Sequence, residues 1–326
     1  MNILVTGGAG YIGSATAEAL IDAGHSVTVY DSLVTGHRRA VPEGATFVEA
    51  DLADSHALVK TLTDRQFDAV MHFAAFIEAG ESMRDPGRFF HNNFTNSLAL
   101  MENAVRAGVK RFVLSSTAAV YQSSDEPLSE ESPLGPTNVY GHTKLMVEQA
   151  LEWYREIHGL RFAALRYFNA CGALPNRGEA HQPESHLIPL VLRVPLGQRD
   201  EAQIYGTDYP TRDGTCIRDY IHIADLVSAH LLALEALGER DRLIYNLGSG
   251  NGYSVREVIE TARRVTGHPI PTRELPRRPG DSARLVASSG KIKRDLGWKP
   301  KHDDLYEIIS SAWEWHQSHP GGYEDK

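Results

Sequence analysis

Val5-Thr6-Gly7-Gly8-Ala9-Gly10-Tyr11-Ile12-Gly13 opens the chain as an apolar strand running into a glycine-rich turn. Its glycines read both as Gly7-x-x-Gly10-x-x-Gly13 and as Gly8-x-Gly10-x-x-Gly13. Glycine permits the tight turn, the close approach of a pyrophosphate to backbone, and close packing of helix on strand. The helix that follows points its N–H groups and the positive end of its dipole at the phosphates. A glycine pattern alone is weak, since structural turns produce many. Here a buried strand over residues 3–6 precedes it, an apolar-faced helix over 14–23 follows, and Asp31 closes the second strand 18 residues past Gly13. That context makes it a dinucleotide cradle. The Asp31 carboxylate accepts from the adenosine ribose hydroxyls and repels a 2′-phosphate, so NAD is favoured over NADP. His37-Arg38-Arg39 reads as a solvated loop. Asp51-Leu52, ending the third strand, is placed to flank the adenine, with a helix N-cap as the competing role for Asp51.

Outward from the cradle, strand-like and helix-like segments alternate. Strands are expected over 26–30, 45–50, 68–74, 111–115 and 161–167, and helices over 55–62, 89–107 and 139–158. This order implies right-handed crossovers and a parallel sheet covered on both faces. After Asn169 the pattern loosens into loops over 172–185, 206–218 and 276–281, while a helix at 224–237 and a strand at 243–247 return to the sheet. The expected fold class is α/β: a Rossmann-type doubly wound parallel sheet with a smaller interleaved C-terminal lobe. The division expected is 1–170 plus about 224–250 for the nucleotide domain, and about 171–223 plus 251–326 for the substrate lobe.

Bulk properties narrow the partners. The chain has 326 residues, 42% hydrophobic and 23% charged, enough for a sizeable core. A formal charge of -9 argues against nucleic acid and anionic membrane. The two cysteines, Cys171 and Cys216, form no C-x-x-C or His/Cys cluster, so neither a disulfide framework nor a metal site is expected. The first strand begins at Asn2, leaving no room for a signal peptide, and no apolar run is long enough for a bilayer. A soluble, cytoplasmic protein is the expectation.

The chemistry points to a second group. Tyr140-Gly141-His142-Thr143-Lys144 follows a strand ending in Ser115-Ser116-Thr117. Tyr140 and Lys144, four apart, share one face of a helix. A tyrosine with lysine at that spacing says little alone; its place after the fifth strand of a nucleotide-binding sheet is the signal. A phenol of pKa ~10 is a poor base at neutral pH, and bringing it to ~7 takes roughly 4 kcal/mol. An ammonium at ~4–6 Å, in an effective dielectric of ~20, supplies about 3–4 kcal/mol. Thr117 is placed to hold a substrate hydroxyl and pass its proton to Tyr140. Together these imply oxidoreductase chemistry on an alcohol carbon with a nicotinamide as hydride carrier.

With these residues in view, the chain resembles the UDP-glucose (UDP-galactose) 4-epimerases of the extended short-chain dehydrogenase/reductase family. Superfamily-level matches include His72-Phe73, Asn92-Asn93, Ser115–Thr117 and Tyr140 with Lys144. Residues 277–281 also match, and Asp208-Tyr209-Pro210-Thr211-Arg212-Asp213-Gly214-Thr215 followed by Arg218-Asp219-Tyr220-Ile221-His222 is far more specific. The resemblance implies a tightly held NAD contacted by Gly7, Gly10, Tyr11, Ile12, Gly13, Asp31, Asp51, Leu52, Phe73, Ala74, Asn93, Ser115, Tyr140, Lys144 and Tyr167. It implies that Tyr140, Lys144 and Thr117 are catalytic and that the C4 hydroxyl of a UDP-hexose is transiently oxidised. It places Thr117, Tyr140, Asn169 and Leu187 around the UDP-sugar, Arg218 and Arg278 on its diphosphate, and Asp281 on the uridine ribose. A homodimer through the helices over 89–107 and 139–158 is also implied.

This sequence departs from the family pattern at Gln122, where glycine is common, at Ile77, where a lysine often meets NAD, and at His186, where an asparagine lies beside the sugar. Leu285 falls where side-chain size is thought to gate N-acetylated sugars, and leucine is intermediate. Rival readings are a UDP-N-acetylhexosamine or UDP-uronate 4-epimerase, a sugar-nucleotide dehydratase, a decarboxylase, or an NAD-sensing binding protein. Thr117 is followed by Ala118-Ala119, which cannot serve as the acid and base of a dehydratase.

Overall fold

The computed structural model describes residues 1–278 and 281–323. Pro279 and Gly280, within the 277–281 stretch, and the C-terminal residues 324–326 lie outside the described residues.

Seven parallel strands form the main sheet, in the order Thr46–Glu49, Ser26–Asp31, Asn2–Thr6, Ala69–His72, Arg111–Thr117, Arg161–Tyr167, Arg242–Leu247. Central strands such as Ala69–His72 are apolar at nearly every position and buried throughout, as a sheet covered on both faces requires. One core gathers Ile3, Val5, Leu20, Val29, Leu226 and Trp298; the opposite face gathers Leu4, Leu58, Val70, Leu100, Phe112 and Phe162. The strand order reverses between Asn2–Thr6 and Ala69–His72, so a crevice opens beyond Thr6 and His72.

The glycine turn shows why its residues are glycines. A Cβ on Gly7 would lie 2.4 Å from the Ala74 amide nitrogen, and one on Gly13 would lie 2.1 Å from the Gly7 carbonyl oxygen. The helix starts earlier than expected, at Tyr11, and runs to Asp22. The 89–107 helix is a correction. It divides into Pro86–Phe89, a π-helical turn over Phe90–Thr95, and Asn96–Arg106. The π-turn points Asn93 inward, where its amide bonds the Phe76 backbone in both directions at 2.8 Å.

A third core, from Ile188, Val191, Leu192, Val258, Ile259, Ile308 and Ile309, lies under the C-terminal lobe. Its two long helices are well capped. Val255–Thr266 begins in a Ser254/Glu257 capping box and ends at left-handed Gly267; Leu305–Ser318 is capped by Asp304. Short strands Asn169–Cys171 and Tyr220–His222 pair in parallel, joining this lobe to the end of the sheet.

Candidate active site

The crevice is a cleft of about 310 Å³. Of the residues implied to contact NAD, it is lined by Gly7, Gly10, Tyr11, Ile12, Gly13, Asp31, Asp51, Leu52, Phe73, Ala74, Ser115, Tyr140 and Tyr167. Two are not on its lining. Asn93 is held in the interior by Phe76 and Thr143, and its neighbour Asn92 faces the cleft instead. Lys144 sits one layer behind the surface, 2% exposed, with its Nζ donating to the Ser115 carbonyl at 2.8 Å.

The cradle fits a dinucleotide. Gly10, the N-cap of helix Tyr11–Asp22, supplies no side-chain acceptor, and no acidic residue lies in the first turn. The first-turn amides are thus left to meet an anion. Asp31 accepts one backbone N–H on each oxygen, from Ala9 and Leu33 at 2.9 Å, leaving a lone pair per oxygen for ribose hydroxyls. Burial raises its pKa while those two amides oppose the shift. Asp51 is no helix cap: it bonds the Ala53 amide at 2.8 Å, and Asp54 caps helix Ser55–Asp64.

At the far end of the cleft stand Thr117 and Tyr140, two of the residues expected to be catalytic. Strand Arg111–Thr117 ends at Thr117, whose hydroxyl accepts the Ala119 amide at 3.1 Å and lines the cleft beside Tyr140. Asn138 caps helix Val139–His158 through the Gly141 amide, and Ser82 accepts the Tyr140 amide, which fixes the tyrosine at the helix entrance. Burial pushes the phenol up to about 12, Thr117 pulls it down, and Glu78 pushes it further up. Burial also pulls Lys144 down to about 7, against the opposing pull of Glu148. This corrects the simple pairing argument. Desolvation penalises the phenolate and the ammonium together, so burial holds the phenol above its ordinary value and the ammonium below its own.

Residues not singled out from sequence support this end. Glu148, one turn past Lys144, forms a buried pair with Arg166, whose Nη2 lies 2.6 Å from Oε2. Arg166 also donates to the Tyr121 hydroxyl at 2.8 Å, and Ser116 donates to Glu148. Tyr167 bonds His230, whose Nδ1 lies 2.8 Å from the Leu226 carbonyl. Burial lowers His230 to about 4, so the ring is neutral and Nε2 accepts the tyrosine proton. None of these pairs has a local sequence signal, because the partners come from different elements.

A second pocket of about 160 Å³ adjoins the first. Asn169, Ala170 and His186 line both, and Leu187, Tyr205, Arg218 and Arg278 line the second. Asp281 stands between the two arginines, 3.5 Å from Arg218 Nη2 and 3.1 Å from Arg278 Nε. The Arg278 guanidinium also lies over the Tyr205 ring, 4.7 Å from its centroid. Asn169 donates to the Asp219 carbonyl at 2.6 Å. Asp219 itself is fully buried and accepts the amides of Ser249, Gly250 and Ala287, tying three loops beneath the pocket. Ile77 lines the cofactor cleft, where its apolar side chain offers no charge. Leu285 lines neither pocket; it packs beside Ala118, Tyr121 and Phe168.

Residues 3–248 match the model of the NAD dependent epimerase/dehydratase family. The chain belongs to that family. It is 51% identical to the UDP-glucose 4-epimerase of Streptomyces lividans over 99% of this chain and 98% of that one. Among solved structures, the Brucella ovis UDP-glucose 4-epimerase in complex with NAD superposes with a TM-score of 0.93 at 42% identity, covering 100% of this chain and 99% of that one. The Bifidobacterium longum UDP-glucose 4-epimerase, in complex with NAD+ and UDP, gives 0.94 at 35% identity, covering 99% and 100%. NAD is the cofactor of this chain.

Proposed function

We propose that this chain interconverts UDP-galactose and UDP-glucose by inverting C4 of the hexose. The observation that carries this reading is the junction of the two pockets: Thr117 and Tyr140 end the cofactor cleft beside the wall of Asn169 and His186 that it shares with the arginine-bearing pocket.

In this scheme Tyr140 takes the proton of the C4 hydroxyl and returns it after inversion, with Thr117, beside it on the cleft wall, as the relay. Lys144, recessed against Ser115, holds the nicotinamide ribose and sets the field at the phenol. Arg218 and Arg278 grip the diphosphate through planar forks suited to phosphate oxygens, and Asp281, now shared between them, turns to the uridine ribose. Leu187 and Asn169 bound the sugar. NAD, when bound, supplies the hydride acceptor and donor at C4 and a positive ring charge near Tyr140.

The two-domain division expected from the sequence belongs to this proposal, supported by the separate core of the C-terminal lobe. So does a homodimer, supported by Trp153 and Ile157, which leave helix Val139–His158 64% and 68% exposed one turn apart. Two free buried cysteines fit a reducing cytoplasm. Among the described residues no helix is long and apolar enough to cross a membrane.

The deciding experiment gives UDP-galactose to purified protein without added cofactor and identifies the product sugar. UDP-glucose is expected; a 4-keto-6-deoxy sugar would replace this reading with a dehydratase, and a UDP-pentose formed from a UDP-uronate, whose C6 carboxylate leaves as carbon dioxide, would replace it with a decarboxylase. The same assay with UDP-N-acetylgalactosamine and a UDP-uronate sets the substrate range.

A further inference from the structure

The segment between Cys171 and Leu187 brings Glu179, His181 and His186 together, and the proposed reaction uses none of them. One donor atom from each lies within 4.8 Å of the other two. Nδ1 of His181 is paired with the Glu179 carboxylate, which couples two of the three donors directly. Glu184 fixes the second ring. Its Oε1 lies 2.7 Å from Nδ1 of His186 and accepts the backbone amides of Ser185 and His186 at the same distance. With Nδ1 engaged, Nε2 is the donor His186 has left. A carboxylate holding the far nitrogen of an imidazole is the arrangement that fixes tautomer and ring orientation around bound metals.

Charge points the same way. Glu78 joins Glu179 and Glu184 in the field at His181, so three carboxylates surround two imidazoles. A dication held by the neutral imidazoles would stand in for the protons that these carboxylates favour on His181 and His186, so its uptake releases protons.

We propose that Glu179, His181 and His186 hold one divalent transition-metal ion, with zinc as the type, in the wall between the cofactor cleft and the arginine-bearing pocket. Two imidazoles and one carboxylate suit such an ion rather than magnesium or calcium, which prefer all-oxygen shells. Three protein ligands leave a coordination position for water or a group in the cleft. Because all three ligands belong to one segment that lines the cofactor cleft, with His186 also lining its neighbour, the ion would cross-link residues 179–186 into a closed turn on that wall. The expectation of no metal site, drawn from cysteine spacing, did not weigh this cluster.

The inference is independent of the proposed reaction and is tested on NAD-loaded protein stripped with a chelator. Titration with zinc chloride, followed calorimetrically, and with cobalt(II), followed by its ligand-field absorption, should show one equivalent per chain. His181→Ala and His186→Asn should each weaken binding by about tenfold or more. Amide hydrogen exchange across 172–186 should slow when zinc is added to the wild type. Because the variants could fold poorly, crystals of the wild type grown with zinc chloride provide a separate reading: an anomalous peak among these three side chains. Absence of stoichiometric uptake, a peak elsewhere, or variants that bind as tightly as wild type would overturn the proposal. An active epimerase that takes up no zinc would refute this inference alone.

Discussion

The molecule manages its charges in two opposite ways at the two ends of its substrate path. Beneath the catalytic strand end, Lys144, Glu148 and Arg166 are all at most 4% exposed and are bound to one another, to Ser116, or to backbone. In the C-terminal lobe, Arg277 and Arg278 have side chains 43% and 56% exposed and are paired with Asp208 and Asp281 at the surface. The first set cannot exchange partners, because each charge left alone in the interior would forfeit its hydration. The second can, because solvent stands by while one partner gives way to another. Rigidity lies beneath Thr117 and Tyr140, and adaptability lies at the exposed arginines.

The sharpest way to break this contrast is at Tyr140. Tyr140→Phe should lower kcat by about three powers of ten, within the range for lost general acid–base catalysis, with NAD still bound by absorbance. Near-wild-type turnover would remove the phenol from the mechanism. Next in size is Glu148→Gln, which leaves Arg166 buried without its anion. Chemical denaturation should show a loss of about 3 kcal/mol, and a loss below ~1 kcal/mol would mean the buried pair is no more than a surface one. Arg278→Ala should do the reverse. It should raise KM for UDP-galactose about tenfold, through loss of a charge-assisted bond, while stability moves by less than about 0.5 kcal/mol. A large stability loss there would make the two regions alike.

The smallest effect sharpens the comparison through pH. Lys144 titrates at about 7 in the folded chain against 10.5 for an ordinary lysine. Between those values the folded chain binds fewer protons than the unfolded one, so this group's contribution to stability rises with pH and is lost again below about 7. The urea midpoint should therefore gain more between pH 7 and 9 in wild type than in Lys144→Met. Equal gains would show that the ammonium is not desolvated.

Much of the cofactor half was legible because its signals are local. Gly7, Gly10 and Gly13 lie within one turn, Asp31 closes the next strand, and Tyr140 and Lys144 share a helix face. The errors arose where geometry depends on distant packing. The expected helix over 89–107 breaks at a π-turn because Asn93 reaches back to the Phe76 backbone. Asn93, expected to meet the cofactor, is held inside by Phe76 and Thr143, while Asn92 faces the cleft. Asp219 stood inside a quoted motif, yet its work is to gather amides from Ser249, Gly250 and Ala287.

The order of elements, the parallel sheet and the nucleotide cradle follow from the sequence alone, because periodicity, glycine and a terminal carboxylate act over a few neighbouring residues. Only the tertiary structure decided the charge states around Tyr140, the pairing of Glu148 with Arg166, and the meeting of Glu179, His181 and His186. The reason is physical. Desolvation and ion pairing depend on what the rest of the chain packs around a group, and that environment is assembled from residues far apart along it.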